Sequence, residues 1–482
     1  MAIWTAAVLG IAALLVTRPW DRPPPPPASP PASADADPFK TWIPFEDAQP
    51  FFAAWPAHVP AELRGRSPAQ AAAAWPDWML RHDAAIRARL DRGDEDSVVN
   101  FWLYGTTFTT LPRATARGLN RIGGPDSTSR LVEQRLEDLL DVVAAPGGNG
   151  RVRFARSVLA RRGIDVAAPG GRERAWEYLD SLRTRMATEE SRYGKAVSAV
   201  QGRAETAGSL SAYATLYESR GLSSDTGMPI GFALERSLAD LMASGRLQPG
   251  TIDRVGIVGP GLDFTDKAEG YDFYPQQSIQ PFALIDSLLR LELAPAGDLM
   301  VTTLDISHRV TSHLQATRDQ ADHGAAYRLH FPLGPDTPDR QWQPALVEYW
   351  QRVGDRIGEV VPGVTPPPGL EHVRVRAVAV RPEIVRRVQS RNVNVILERL
   401  DPLAEAERFD LVVATNVLLY YDPFEQALAL ANISRMLRPG GFLITSDAMF
   451  PAAPMDTVAA QIIRVDRDHQ GQRDTLFAYQ RH

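Results

Sequence analysis

The hydrophobic pattern divides the chain into three stretches. Ala2 to Val16 is an unbroken apolar run. From about Phe39 to Gly250 the apolar residues recur at helical spacing, as in Val132, Leu136, Leu139, Leu140 and Val143. Ser67-Pro68 offers an N-cap and a first-turn proline for a helix running to Leu90, and Gly93 with Asp94-Glu95-Asp96 then punctuates the chain. A further helix is expected from Arg172 to Tyr193, and Leu234, Leu238 and Leu241 give one more apolar face. After Gly250 the pattern changes to short apolar runs alternating with helices, which is the signature of parallel βαβ units. Strands are expected at Arg254–Gly259, Leu299–Asp305, Val373–Val380, Val393–Leu397, Phe409–Ala414 and Phe442–Ser446, with a closing edge strand at Thr475–Gln480. Helices are expected at Ser278–Leu291, from His308, at Pro344–Gly358 and at Glu425–Leu437. The fold class is therefore α/β: a Rossmann-like, doubly wound sheet over 251–482, preceded by a mainly helical domain over 39–250.

A chain of 482 residues fits two globular units with extensions. The first 17 residues read as a membrane anchor, as the apolar part of a cleaved signal, or as residues ahead of the true start. A helix of about 15 residues spans roughly 23 Å, short of the ~30 Å hydrocarbon core. No Lys or Arg precedes the run, whereas Arg18 and Arg22 follow it. That asymmetry expects an inner-membrane anchor with the remainder in the cytoplasm, export being the alternative. Residues 18–38 are a Pro-rich linker, with Pro23–Pro31 a polyproline II spacer.

The formal charge of −6 argues against a general nucleic-acid coat, and no nucleic-acid partner is expected. The arginine-rich stretch from Arg151 to Arg203 reads as a solvated helical surface. The absence of cysteine excludes disulfides, thiolate metal sites and a cysteine nucleophile. The nine histidines form no ligand pattern: His308 and His313 are five apart and do not share a helix face, so no metal is expected.

Candidate chemistry gathers at the carboxyl ends of the strands, where open α/β sheets bind ligands. Gly259-Pro260-Gly261 after the first strand permits a tight turn and close approach of a ligand to the backbone. Asp305 ends the second strand, where a carboxylate can accept both hydroxyls of a ribose. Asp401 could take an adenine amine, and Asn416 adds an amide at the end of the Phe-Asp-Leu-Val-Val strand.

This ordered set resembles the class I S-adenosylmethionine-dependent methyltransferases. Phe409–Asp422 (FDLVVATNVLLYYD) with Ile433–Ser446 (ISRMLRPGGFLITS) is most similar to the chemotaxis-receptor methyltransferases. The resemblance covers about Arg254 to the C-terminus and implies S-adenosylmethionine as cofactor. It places the ribose at Asp305-Ile306-Ser307, the adenine turn at Asp401-Pro402-Leu403, and a cofactor-side segment at Thr415-Asn416-Val417. Tyr420 and Tyr421 become candidates to line the acceptor site, with core aromatics as the plain alternative. Three positions depart from the family pattern: Ile257 stands where a first-strand acid is common, Asp263 replaces the third glycine of the loop, and Thr415 replaces an arginine. The run Tyr213–Gly227 is either a lid, with Tyr213, Tyr217 and Arg220 over the cofactor, or an ordinary interdomain connection. The expected activity is methyl transfer to an unidentified acceptor, a protein side chain or a small molecule, chosen by the helical half. The alternatives are a non-catalytic sensor that keeps the fold and an exported envelope structural protein. Methyl transfer from a sulfonium requires alignment more than acid–base help, so no catalytic residue need show in the sequence.

Overall fold

The computed structural model describes residues 39–114, 124–200, 221–223, 227–264, 270–295, 297–337, 341–446, 448–449, 455–467 and 473–482. The apolar run, the proline linker and the expected lid at Tyr213, Tyr217 and Arg220 lie outside these residues. Among the described residues, no helix is long and apolar enough to cross a membrane.

After the short strand β1 (Lys40–Trp42) and helix α1 (Phe45–Ala54), the helical half consists of α2 (Pro68–Tyr104), α3 (Gly124–Ala144), α4 (Gly150–Arg161) and α5 (Gly171–Val200). Ser67 caps α2 in a reciprocal box with Gln70, and Pro68 follows it, as the sequence expects. The expected break near Gly93 is absent, and α2 runs unbroken for 37 residues. The acids there meet partners instead of solvent: Asp94 pairs with Arg161, Glu95 with Arg162 and Asp96 with Arg185. The same pairs revise the reading of Arg151–Arg203 as simply solvated surface. Arg151 is buried and donates to the carbonyls of Phe264 and Tyr274, fastening α4 to the loop after the first sheet strand.

Helix α6 (Pro229–Ala243) leads into β2 (Arg254–Val258), α7 (Gln280–Arg290), β3 (Met300–Asp305) and α8 (His308–Asp322). Next come β4 (Tyr327–Leu333), α9 (Pro344–Arg352), β5 (Gly358–Val361) and β6 (Arg374–Val380). The expected strand at Val373–Val380 thus exists, but it pairs in a separate three-stranded sheet, β4-β6-β5. After α10 (Pro382–Val385), the chain forms β7 (Val388–Asn392), β8 (Glu398–Leu400), β9 (Phe409–Ala414), α11 (Pro423–Met436), β10 (Leu437–Thr445), β11 (Met455–Arg464) and β12 (Arg473–Arg481).

The main sheet has the order β11-β12-β10-β9-β2-β3-β7. β2 pairs in parallel with both β3 and β9, so the winding direction reverses between β2 and β9. The apolar residues alternate across the sheet: Val255, Ile257, Leu411, Val413 and Ile444 face one core, and Val258, Val412, Ala414 and Leu443 the other. The first core takes in α6 and α7, and the second takes in α1, the first half of α2 and α11. The core therefore does not divide at residue 250. Helix α6 packs on the sheet, and residues Ile43 to Ile86 share one apolar cluster with β9 and β10. β1 pairs antiparallel with β8, matching Lys40 to Leu400. Buried apolar residues of α2, α3, α4 and α5, from Val98 to Leu182, form a separate helical cluster that also holds Phe264.

Candidate functional site

A cavity of about 300 Å³ opens at the carboxyl ends of β2, β3, β7 and β9, across the point where the winding reverses. Each strand delivers a different group to it. Beyond β2, Gly259 continues the ladder by donating to the Leu304 carbonyl at 2.9 Å, then turns with φ +61°, and Gly261 follows at φ +72°. A Cβ on Gly259 would lie 2.6 Å from Val417 Cγ2, so only glycine permits this packing.

Asp305 ends β3 with its carboxylate at the cavity. One oxygen accepts the Ser307 amide at 2.7 Å. Burial pushes the carboxyl up to about 7, against the lowering effects of that amide, the nearby Arg309 and the Ile306 amide. Ile306 lines the cavity beside it. Beyond β9, Thr415, Asn416 and Val417 line the wall. Asn416 holds a left-handed φ of +57° and donates its amide to Ser446 Oγ at 2.8 Å. The Thr415 hydroxyl accepts from Gln280 at the start of α7, 2.7 Å away. A single 3₁₀ turn, Leu418–Tyr420, then brings Tyr420 and Tyr421 to the cavity. Burial raises the Tyr421 phenol above its ordinary range, so it stays a neutral hydroxyl.

Two sequence-chosen residues lie elsewhere. Asp401 does not line the cavity: it follows β8, its amide bonds the Phe39 carbonyl, and its carboxylate lies 3.2 Å from Arg399 Nε. Asp263 is fully buried and holds Gln277, by its amide at 2.7 Å and its carboxylate at 3.0 Å, so it pins the glycine loop and does not face a ligand. Ile257, at the position of the missing acid, is buried in the apolar core.

The misplacement of Asp401 has a simple cause. The third parallel strand is Val388–Asn392, whose sequence VQSRN is polar because β7 is an edge strand. The apolar Val393–Leu397, read as that strand, is the loop and turn that follow it. The residues that this strand end brings to the cavity are therefore Val393, Asn394 and Val395. Asn394 is buried, donates to Asp83 of α2 at 2.8 Å, and receives no side-chain slack from its neighbours: its own amide bonds Glu398 at 2.9 Å.

Sequence reasoning missed the share of α2 in the roof, whereas Leu222 and Ser223 belong to the run Tyr213–Gly227 that it read as a lid or an interdomain connection. Leu90 of α2 lines the cavity with Leu222, Ser223, Pro229 and Ile230. Arg89 donates to the Tyr420 carbonyl at 2.5 Å and lies 5.4 Å from the centre of the Tyr421 ring. Leu222 donates its amide to the Arg89 carbonyl, and a Cβ on Gly93 would lie 1.9 Å from the Leu222 carbonyl oxygen. No local pattern pointed to this role of α2, because Gly93 and Asp94-Glu95-Asp96 read as a break. His308 and His313 both fall in α8, and no group of metal-binding side chains exists among the described residues.

Comparison with known proteins gives a consistent but partial picture. Residues 367–445 match a family described as a methyltransferase domain, a stretch that includes Asn394 and Asn416 but neither Gly259 nor Asp305. No curated protein sequence matches the chain. Among solved structures the chain is similar to TrmN from Thermus thermophilus, at 9% identity and TM-score 0.24 over 52% of this chain and 49% of that one. It is also similar to magnesium protoporphyrin IX methyltransferase from Synechocystis PCC 6803 with bound SAM, at 12% identity and TM-score 0.25 over 52% of this chain and 81% of that one. A third is the glycopeptide N-methyltransferase MtfA, at 12% identity and TM-score 0.23 over 52% and 90%. The chain spans about half the length of the first of these. The finer resemblance to chemotaxis-receptor enzymes finds no support in these comparisons. The C-terminal half is a mixed α/β structure built on a methyltransferase-like sheet.

Proposed function

We propose that the protein is an S-adenosylmethionine-dependent methyltransferase. The observation that carries this reading is the convergence of Gly259, Asp305, Asn394 and Asn416 on one cavity from the ends of four adjacent parallel strands. S-adenosylmethionine is the expected cofactor, and the residues fit it. The glycine turn is a cradle that a Cβ would fill. Asp305 offers carboxylate oxygens to a pair of ribose hydroxyls, and Val393, Val395 and Leu90 supply apolar lining suited to a flat ring. When bound, the cofactor supplies a methyl carbon activated by a sulfonium.

The chain's own residues then have three tasks. Asp305 and the amide-rich turn at Asn416 fix the orientation of what binds. Leu90 and Leu222 cover the cavity and keep water from it. Tyr420 and Tyr421, held by Arg89, form the wall against which an acceptor atom aligns for in-line displacement. The neutral Tyr421 phenol suits it to shape and hydrogen bonding and not to proton abstraction. The acceptor is a small molecule or a protein side chain. We further propose that the apolar N-terminal run tethers the protein to a membrane, with the proline stretch as a spacer.

Calorimetric titration of S-adenosylmethionine into the full chain and into Asp305→Ala tests the reading. Binding that is lost in the variant supports it, and absence of binding to the intact protein overturns it. Ile257 and Thr415, which depart from the family pattern, make a non-catalytic sensor the second reading. Binding without methyl transfer to any acceptor in a panel of small molecules and peptides favours the sensor.

A further inference from the structure

At the opposite end of the sheet, where β2, β3 and β7 begin, lies a second open cavity of about 580 Å³. Its lining is unlike that of the first. Arg356, Arg381 and Arg387 converge on it, with Glu292 and Glu383 as the acidic members. Glu383 is already committed to Arg381, 2.9 Å away, and Arg381 is further held by the Arg356 carbonyl at 2.8 Å. Among the described residues, neither Arg356 nor Arg387 takes part in an ion pair. The half-buried Arg387 has its Nη1 shielded from solvent and without a hydrogen-bond partner.

A shielded guanidinium nitrogen with no acceptor is costly, and Arg151, Arg290 and Arg352 each carry one as well. Those three are held through their other nitrogens, by the Tyr274 carbonyl, Asp286 and Glu235, whereas the Arg387 side chain makes no hydrogen bond or ion pair among the described residues. Arg387 is fixed in place by its position. It immediately precedes β7, and its carbonyl accepts the Val301 amide of the neighbouring strand at 3.0 Å. Arg387 therefore lines the cavity from the sheet's own framework.

We propose that this cavity binds a small phosphate monoester. Guanidinium forks suit the tetrahedral oxyanion, and two uncommitted arginines with a third close by match a dianion better than a monoanionic carboxylate. The apolar floor of Leu289, Ala294 and Ile384 accommodates a short carbon skeleton attached to the phosphate. Glu292, an exposed member of the lining, disfavours longer polyanions, so nucleic acid is not the ligand class. This site is separate from the cavity at the carboxyl ends and does not depend on what that cavity binds.

The experiment is calorimetric titration of the full chain with inorganic phosphate, glycerol phosphate and acetate. It is repeated on Arg387→Gln and Arg356→Gln, with circular dichroism and unfolding midpoint as checks of folding. Expected is saturable binding of both phosphates, with glycerol phosphate the tighter, at least tenfold weakened in each correctly folded variant and absent for acetate. Should one variant fail to fold, the other decides. Lack of saturable phosphate binding, affinity unchanged in the folded variants, or acetate binding as tightly as phosphate would each overturn the proposal.

Discussion

Replacing Gly259 by alanine isolates the most constrained contact in the cavity. Two separate costs arise. A residue with a Cβ pays roughly 1–2 kcal/mol to sit in the left-handed region, and Gly259 has φ +61°. The added carbon would also lie 2.6 Å from Val417 Cγ2, a stiff β-branched side chain, and such overpacking costs about 1–3 kcal/mol. Together the substitution destabilises the chain by about 2–5 kcal/mol. It also displaces Val417, which lines the cavity, so affinity for S-adenosylmethionine falls by about tenfold or more, equivalent to ~1.4 kcal/mol. Removing the obstructing methyls by Val417→Ala separates the two costs. In a double-mutant cycle followed by urea unfolding, Gly259→Ala should cost less in the Val417→Ala background by about 1–3 kcal/mol. The left-handed cost remains in both backgrounds. An equal cost with and without the Val417 methyls would refute the packing argument and leave backbone conformation as the whole effect.

Four further outcomes follow from the same geometry. Asp305 has a carboxyl pushed up to about 7 by burial, and hydroxyl donors bind its ionised form, so apparent S-adenosylmethionine affinity should weaken roughly tenfold from pH 8 to pH 6, with proton release detectable by calorimetry in buffers of different ionisation heat. The same group makes the ligand-free chain most favoured below its unfolded value near 3.8, where both states are protonated; that contribution is lost as pH rises to about 7, and Asp305→Asn should remove this part of the pH dependence of the unfolding midpoint. Asn394→Ala should weaken cofactor binding by about fivefold or more through loss of the buried bond to Asp83, whereas Asp401→Ala should change it less than about twofold; the reverse order in a binding titration would restore Asp401 to the site. Gly93→Ala places a carbon 1.9 Å from the Leu222 carbonyl oxygen, so residues 221–223 must leave the helix, and hydrogen exchange at the Leu222 amide should accelerate while cofactor affinity falls; unchanged exchange there would show that the roof does not depend on this contact.

The sequence made the central strands legible because each is buried on both faces. VGIV and FDLVVA are continuous or nearly continuous apolar runs, MVTTLD is rich in β-branched residues, and their ends carry Gly259, Asp305 and Asn416 to one place. It misled at β7 for the opposite reason. An edge strand flanked on one side only by β3 need not be apolar, so VQSRN looked like a connection while the apolar loop after it looked like a strand. The assignment of Asp401 inherited that error. Helix α2 was cut short for a different reason: glycine and three consecutive acids are local stop signals, and their override is tertiary, through Leu222 packing on Gly93 and arginines from α4 and α5. The side-chain network of Asp83, Asn394 and Glu398 spans more than 300 positions of sequence, and no local pattern encodes it.

That network changes how the helical half should be understood. An acceptor-selecting domain attached to a complete cofactor-binding sheet would meet that sheet through a boundary, yet here the boundary is absent. Trp75, Trp78 and Ile86 share an apolar cluster with Val412 and Phe424, Asp47 binds Arg399 at 2.6 Å, and His82 meets Glu425, the N3 residue of the α11 capping box, at 2.7 Å. The deletion of residues 39–104 would expose that cluster and take Asp47 from Arg399 and Asp83 from Asn394, each loss being of the costly kind. It would also remove Leu90 from the cavity and Arg89 from the Tyr420 turn. On the proposed reading the first helices belong to the cofactor-binding unit, and the part of the helical half left for an acceptor is what α2 places beyond Gly93: the helical cluster of α3 to α5, joined to the glycine loop through Phe264, Arg151 and Arg309, whose guanidinium lies 4.2 Å from the Phe154 ring centre and 5.1 Å from that of Phe264. Arg309 stands in the first turn after Asp305, so its stacking on Phe154 and Phe264 ties this helical cluster to the strand end that reaches the cavity, and a displacement of one is resisted by the other.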